Sequence, residues 1–436
     1  MLFPNRDSDA ARGGSDAGEG SCLTLPASRA DCDARDATDP LARLRAEFAL
    51  HPGLIYLDGN SLGPLTHSAA RRVESMLHGE WGRDLIKSWN VHGWIELPRR
   101  LGARIAPLVG AEADEVLVAD STSVNLFKLA AAACRTRGAR RRIVSEAGNF
   151  PTDLYVLKGL SDLTGGDVEL VAAPRERIYD AIDENTFLVV LTHVHYKSSE
   201  CFDMARLTER AHAVGARMLW DLSHSVGALP VDLAGSRADF AIGCTYKYLN
   251  GGPGSPAFLY VRRDLQALVE PVLSGWMGHA APFEFSDVYR PAPGVTRHCC
   301  GTPSLLSFAA LDGALDVFDR IDLARLRRKS LELSALFVAT VESGGALAVL
   351  DLASPRDPAR RGSHLSFAHP AGYEVMQSLI ARGVIGDFRA PDLLRFGFAP
   401  LYLRYVDVWD AAMGLRTVLE SGAFRTRAAT ARATVT

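Results

Sequence analysis

The sequence predicts an α/β protein, with a large, mostly parallel sheet domain and a smaller C-terminal α+β domain. Three observations carry that expectation. Between residues 40 and 261, short apolar runs alternate with amphipathic stretches, the pattern of βαβ units whose sheet is covered on both faces. After about residue 300 this alternation gives way to one long helical pattern, SLLSFAALDGALDVFDRI, and a mixed remainder. A chain of 436 residues with 47% hydrophobic and 23% charged residues is long enough, and ordinary enough in composition, to build more than one core.

The elements follow in order. Residues 1–38 are rich in Gly, Ser, Asp, Arg and Ala without apolar periodicity, and are expected to be a disordered tail. They hold no apolar stretch of the roughly 7–15 residues that a secretory signal needs. Frequent acidic residues also argue against a transit peptide, so the protein is read as cytoplasmic. Asp39 and Pro40 read as the N-cap and first position of a helix over LARLRAEFAL. Strands are expected at EVLVA (115–119), RRIVSE (141–146), DVELVAA (167–173) and FLVVLTHV (187–194), then at ARMLWD (216–221), DFAIGCTY (239–246) and AFLYV (257–261). Helices are expected at SVNLFKLAAAACR (123–135), from Thr152, and at DMARLTERAHAVG (203–215). The division is a tail over 1–38, a large domain over 39–300 and a small domain over 301–436.

Charge and cysteine content exclude several classes. With 48 basic and 51 acidic residues the net charge is −3, without the basic excess of a nucleic-acid binder. No apolar run nears the roughly 20 residues of a membrane span. The seven cysteines form no CxxC pair, so neither a disulfide framework nor a metal site is expected. Adjacent Cys299 and Cys300 are read as free thiols in a reducing compartment.

In such a frame, functional groups gather where strands end and loops line a crevice. Four stretches fall there. In WDLSHS, Asp221 ends a strand and His224 follows; the carboxylate can hold a cationic ring nitrogen, or cap the next turn. In CTYKYLNGGPGSP, Lys247 precedes a glycine-rich turn; an amine in a cleft can form a Schiff base with an aldehyde, or be a solvated surface lysine. In ADSTSVN, three hydroxyls open a helix, either as a phosphate site on free backbone N–H groups or as an ordinary cap. In GNFPTD, Phe150 before Pro151 can stack on a planar ring or staple its own helix. Together they supply a phosphate cradle, a stacking ring, an acid for a pyridinium nitrogen and a lysine for an aldehyde, the complement of pyridoxal 5′-phosphate.

The same stretches carry a resemblance. YLDGNSLGPL (56–65), STSVNLFKL (121–129), NFPTD (149–153), WDLSHSVGALPVDL (220–233), DFAIGCTYKYLNGGPGSPAFLYV (239–261), GWMGH (275–279) and LLRFGFAPLYLRYVDVWDA (393–411) are similar to the kynureninase family. That family lies within the fold-type I, class V aminotransferase-like pyridoxal phosphate enzymes. The resemblance covers roughly residues 40–420. It implies that Lys247 holds the cofactor and shuttles the α-proton, that Asp221 pairs with the pyridinium nitrogen and that His224 supports the ring. It implies phosphate contacts from Thr122, Ser123 and Tyr246. Phe150 would stack on the ring within the segment Phe150, Pro151, Thr152 and Asp153, and Thr192 would line the site. Trp276 and Thr302 match positions that close the site at a subunit interface, so a homodimer is implied. Arg395 would bind the substrate carboxylate, with Asn60 and Ser61 as secondary substrate-side candidates; Arg404 is the competing candidate for the carboxylate.

The implied reaction is hydrolytic Cβ–Cγ cleavage of L-kynurenine, and of its 3-hydroxy form, to anthranilate or 3-hydroxyanthranilate and L-alanine. That is a step of tryptophan catabolism, with Tyr246 assigned to activate the water. Nucleic-acid and membrane partners are not expected. A cysteine desulfurase would need a nucleophilic cysteine that the stretch DLASPRDPARRGSH (351–364) lacks. The alternatives left standing are a class V aminotransferase or lyase acting on another amino acid, and a non-catalytic binding protein on the same scaffold.

Overall fold

The computed structural model describes residues 25–319, 321–343 and 349–426. In chain order its strands are β1 (Ile55–Tyr56), β2 (Val116–Val118), β3 (Arg142–Glu146), β4 (Glu169–Ala173), β5 (Thr186–Thr192), β6 (Arg217–Asp221) and β7 (Phe240–Gly243). They continue with β8 (Phe258–Val261), β9 (Asp351–Leu352), β10 (His364–Ala368), β11 (Val384–Ile385), β12 (Asp387–Arg389) and β13 (Leu393–Gly397).

The large sheet has the order β2-β8-β7-β6-β5-β3-β4. Strands β4, β3, β5, β6 and β7 run parallel, while β8 is antiparallel to both its neighbours. Helices on both faces explain the unbroken apolar runs. In β5, Leu188 and Val190 face the core that holds helices Thr122–Arg135 and Pro151–Leu163, whereas Val189 and Leu191 face the core holding helix Met204–Ala213. The chain leaves β3 for the edge strand β4 and returns across β3 to β5. This reversal opens a crevice at the carboxyl ends of β3, β5 and β6.

The C-terminal part carries the antiparallel sheet β12-β13-β10-β9, and β1 pairs in parallel with β11. Here the structure corrects the reading of the N-terminal segment. Residues 29–37, expected to be disordered, form a helix, Arg29–Ala37, with Ser28 accepting from the Asp31 N–H as its cap. The helix buries only Cys32 and is held by polar contacts instead. Arg29 pairs with Asp410 (2.9 Å) and Arg35 with Glu332 (2.9 Å). The Asp36 carboxylate accepts from the Tyr405 and Val406 N–H groups (2.7 and 3.0 Å), capping helix Tyr405–Ser421 from outside. The part of the expected tail over residues 1–24 lies outside the described residues.

Two helices are also shorter than expected. LARLRAEFAL yields only a 3-10 segment, Ala42–Glu47. Asp39 caps locally on the Leu41 N–H (2.9 Å) while its carboxylate is drawn to buried Lys329 (2.7 Å). Phe48 then leaves the helix to pair with Thr66 and pack its ring on Tyr402. The long helix after residue 303 is α-helical over Leu305–Ala314 and tightens to 3-10 over Leu315–Val317. Among the described residues the cysteines are free thiols, and no helix is long and apolar enough to cross a membrane.

Candidate active site

Five strand-end segments meet at the crevice around a cavity of about 230 Å³. Its walls include Thr122, Ser123, Phe150, Thr152, Asp153, Thr192, Asp221, His224, Tyr246 and Lys247, all singled out in the sequence. Ser121, the first of the three hydroxyls of ADSTSVN, also lines it, as do Tyr196, Ser223 and Ser255, which had been given no role.

The loop after β2 turns at Asp120, a non-glycine residue at φ +46, and enters helix Thr122–Arg135. Ser121 is the N-cap, accepting from the Val124 N–H (3.3 Å), so the cap role falls to it and leaves the Thr122 and Ser123 side chains on the cavity wall. A helix N-terminus with hydroxyls facing a cavity is suited to an anion.

The loop after β3 places Asn149 and Phe150 before Pro151, which opens helix Pro151–Leu163 at its first position and does not itself line the cavity. The Phe150 ring is partly exposed and meets Tyr196 edge-on at 5.3 Å. The Thr192 hydroxyl, at the end of β5, donates to Asn149 Oδ1 (2.5 Å) and lies 3.4 and 3.5 Å from the carboxylates of Asp153 and Asp221. Burial and the neighbouring Asp221 push the Asp153 carboxyl well up, while burial raises that of Asp221.

Asp221 ends β6 as expected. Its Oδ1 accepts from both the N–H (2.9 Å) and hydroxyl (2.6 Å) of Ser223, leaving Oδ2 with only the long Thr192 contact. The capping explanation is therefore satisfied by one oxygen alone. The other is a buried acceptor short of a donor, which suits a protonated ring nitrogen.

Lys247 follows β7. Its Nζ lies 3.0 Å from His224 Nε2 and about 6 Å from the ring centres of Phe150 (6.0 Å) and Tyr246 (5.8 Å). The adjoining GGPG turn uses left-handed Gly252 (φ +86) and Gly254 (φ +71). The Lys247 backbone is so close to Gly63 that a Cβ there would sit 2.2 Å from the Lys247 carbonyl. Gly63 N–H donates to the Tyr246 carbonyl (2.7 Å), which brings the YLDGNSLGPL stretch to the site. Burial and the adjacent Lys247 push the His224 imidazole well down, so it is neutral.

The remaining candidates sit apart from the cavity. Arg395, on β13, is 2% exposed and lies behind Tyr196, whose carbonyl accepts from Nη1 (2.6 Å). Its Nη2 is engaged by the Asp387 carboxylate and the Ser61 hydroxyl (2.8 Å). Asn60 is fully buried beside Gly397, and both ends of its amide lack a partner. Arg404 is the N-cap of helix Tyr405–Ser421, locked to Asp407 (2.6 Å) and half exposed. Thr302 lines an adjoining cavity of about 450 Å³ that shares Ser121, Tyr246 and Ser255 with the first. Trp276 is farther off, packed among Trp89, Phe283 and Phe285. Among the described residues no cluster of three or more His, Cys, Asp or Glu is placed to hold a metal ion.

This architecture, with a lysine after β7 facing an aspartate at the end of β6, is that of the fold-type I pyridoxal phosphate enzymes. A cysteine desulfurase from Escherichia coli superposes with a TM-score of 0.73 at 20% identity, covering 87% of this chain and 98% of its own. A C-DES variant solved with glycine covalently linked to its PLP cofactor gives 0.72 at 16% identity, covering 86% and 98%.

Sequence relatives are much nearer. Residues 326–415 match the model of the kynureninase C-terminal domain. Kynureninase from Burkholderia mallei (strain SAVP1) is 52% identical over 94% of this chain and 99% of its own length, and that from Pseudomonas fluorescens is 52% identical over 90% and 95%. The chain belongs to the kynureninase family.

Proposed function

We propose that the protein binds pyridoxal 5′-phosphate in the Lys247 cavity and hydrolyses L-kynurenine, and its 3-hydroxy form, to anthranilate or 3-hydroxyanthranilate and L-alanine. The observation that carries this is the presence, in one cavity, of Lys247 and of the buried Asp221 Oδ2, which is held only by the long Thr192 contact. The donor set fits the cofactor: an amine for its aldehyde, a carboxylate for its ring nitrogen and hydroxyls at a helix N-terminus for its phosphate. When bound, the group supplies an electron sink for the pair left at the substrate α-carbon.

The chain's own residues do the rest. Burial and the neighbouring Asp221 raise the Asp153 carboxyl, and a proton held there leaves the negative charge of the pair on the carboxylate facing the ring nitrogen. Lys247 Nζ moves the proton at the substrate α-carbon, with neutral His224 accepting from it at Nε2. Phe150 covers a ring face, and Thr122, Ser123 and Tyr246 hold the phosphate end. Cys244 beside it and its burial push the Tyr246 phenol up, so Tyr246 acts as an O–H donor to the oxygen that gains charge as water adds to the aryl ketone.

Arg395 grips the substrate carboxylate with two parallel hydrogen bonds, exchanging its present hold on Asp387 and Ser61. The protein is a cytoplasmic homodimer in which the loops carrying Trp276 and Thr302 close the site of a second copy. Exposed Phe283, Phe285, Leu85 and Ile86 supply the apolar surface that such an interface would cover. The test is direct: purified protein with pyridoxal 5′-phosphate and L-kynurenine should generate anthranilate fluorescence and alanine in equal amounts, and absence of both refutes the reading.

A further inference from the structure

A second imidazole stands behind the first. His364, on β10, is 1% exposed, and neither of its ring nitrogens reaches a hydrogen-bond partner. Its ring centre is 5.3 Å from that of His224, inclined at 49°. His224 is also fully enclosed, and its Nδ1 has no partner although Nε2 lies 3.0 Å from Lys247 Nζ. An unsatisfied polar atom costs most where water is excluded, and here three such atoms sit on two touching rings.

The donor–acceptor logic has one consistent solution. As the ammonium, Lys247 Nζ has no lone pair and can only donate, so His224 Nε2 accepts. A neutral imidazole has one acceptor and one donor, so the proton of His224 is on Nδ1 and needs an acceptor of its own. His364 is the ring against it. The Tyr196 backbone also acts on His364, and its carbonyl takes Arg395 Nη1 (2.6 Å). Burial pushes both imidazoles well down, and the cations around them, Lys247 and Arg395, add to that, so both rings are neutral as the pattern requires.

We propose that His364 is a positioning residue for the Lys247 amine: it accepts the Nδ1–H of His224, donates its other N–H to the Tyr196 carbonyl, and so fixes the tautomer that presents Nε2 to Lys247. The small ring rotation that closes this contact makes a continuous line of hydrogen bonds from Lys247 to the carbonyl that steadies Arg395. The amine that would handle the cofactor and the guanidinium that would handle the substrate are thereby held by one frame. The proposal rests on Lys247 being the cofactor-linking amine.

The test reads the tautomer itself. In protein labelled with 15N-histidine and free of cofactor, with His224 assigned by substitution, the His224 ring should be neutral with its proton on Nδ1. In His364→Phe the Nε2–H form should gain population, and formation of the borohydride-reducible linkage with added pyridoxal 5′-phosphate should slow by about tenfold, the scale of one hydrogen bond to a charged group. His364→Gln, whose side-chain oxygen can accept, should restore both. A wild-type His224 that is charged or protonated on Nε2 overturns the proposal, whatever the variants do. So does a His364→Phe protein that loses thermal stability while tautomer and linkage rate stay put. If wild type forms no linkage at all, the assignment of Lys247 fails, and the tautomer measurement still decides the role of His364.

Discussion

Replacing Arg395 by lysine probes the substrate end of the site. The guanidinium is almost wholly buried, and burial lowers its proton affinity against the pull of Asp387. Its present bonds to Asp387, Ser61 and the Tyr196 carbonyl show how a planar fork serves several acceptors at once. A lysine keeps the positive charge opposite Asp387, so the carboxylate is not stranded and the roughly 3–5 kcal/mol cost of an unpaired buried charge is avoided. What it loses is one of two parallel charged bonds to the substrate, worth about 1.5–3 kcal/mol, or about tenfold to a hundredfold in KM. Because that grip is the same in ground and transition states, kcat should change far less than KM. Initial rates followed by anthranilate fluorescence give both constants, and the visible spectrum of bound cofactor should match wild type. An unaltered KM in Arg395→Lys together with a raised KM in Arg404→Lys would move the carboxylate site to Arg404 and refute the reasoning.

Three further outcomes follow from the site. Lys247→Ala should abolish turnover and the borohydride-reducible label; labelling that persists at another lysine contradicts the assignment. Asp221→Asn retains the Oδ1 that accepts from Ser223 but removes the charge from Oδ2, so turnover should fall by about a hundredfold or more while stability shifts by no more than about 1 kcal/mol, the worth of a cap; near-normal kinetics would reduce Asp221 to a capping residue. Burial, with Asp387 beside it, pushes the Asp58 carboxyl from 3.8 up to about 7. A carboxyl raised in the folded state contributes stability that is full below its ordinary pKa and lost as pH rises through the raised one. Asp58→Asn, neutral throughout, should therefore gain on wild type in thermal melts between pH 5 and 8, and a constant difference in Tm would rule this out.

The parts of the fold that were legible in the sequence are those set by local apolar pattern. FLVVLTHV had to be a doubly covered strand, and Asp221 and Lys247 stood out because the one ends such a strand and the other follows one. The N-terminal helix was not legible, since RADCDARDA docks by ion pairs and by lending Asp36 to a distant helix. Ser28, with Asp31 three residues on, was the one local signal for it. The surroundings of Arg395 were hidden for the same reason: Ser61, Tyr196 and Asp387 reach it only through the tertiary fold. Trp276 and Thr302 lie off the cavity in the single chain, a matter on which pattern along one chain is silent.

The grip of helix Arg29–Ala37 on helix Tyr405–Ser421 has a consequence for how the molecule comes into being. Arg29 and Asp410 are 381 positions apart, and at about 5–20 residues per second the ribosome needs roughly 20 to 75 s to travel between them. Through that interval helix Tyr405–Ser421 is not there to dock on, and Glu332, the partner of Arg35, comes only 297 positions after it. Nine residues with one buried side chain are too few to persist as an isolated helix. Ser28 to Ala37 must therefore wait as extended, protease-accessible chain while the large sheet assembles. The clasp closes only when the far helix emerges, so protection of this segment from proteolysis marks the arrival of helix Tyr405–Ser421.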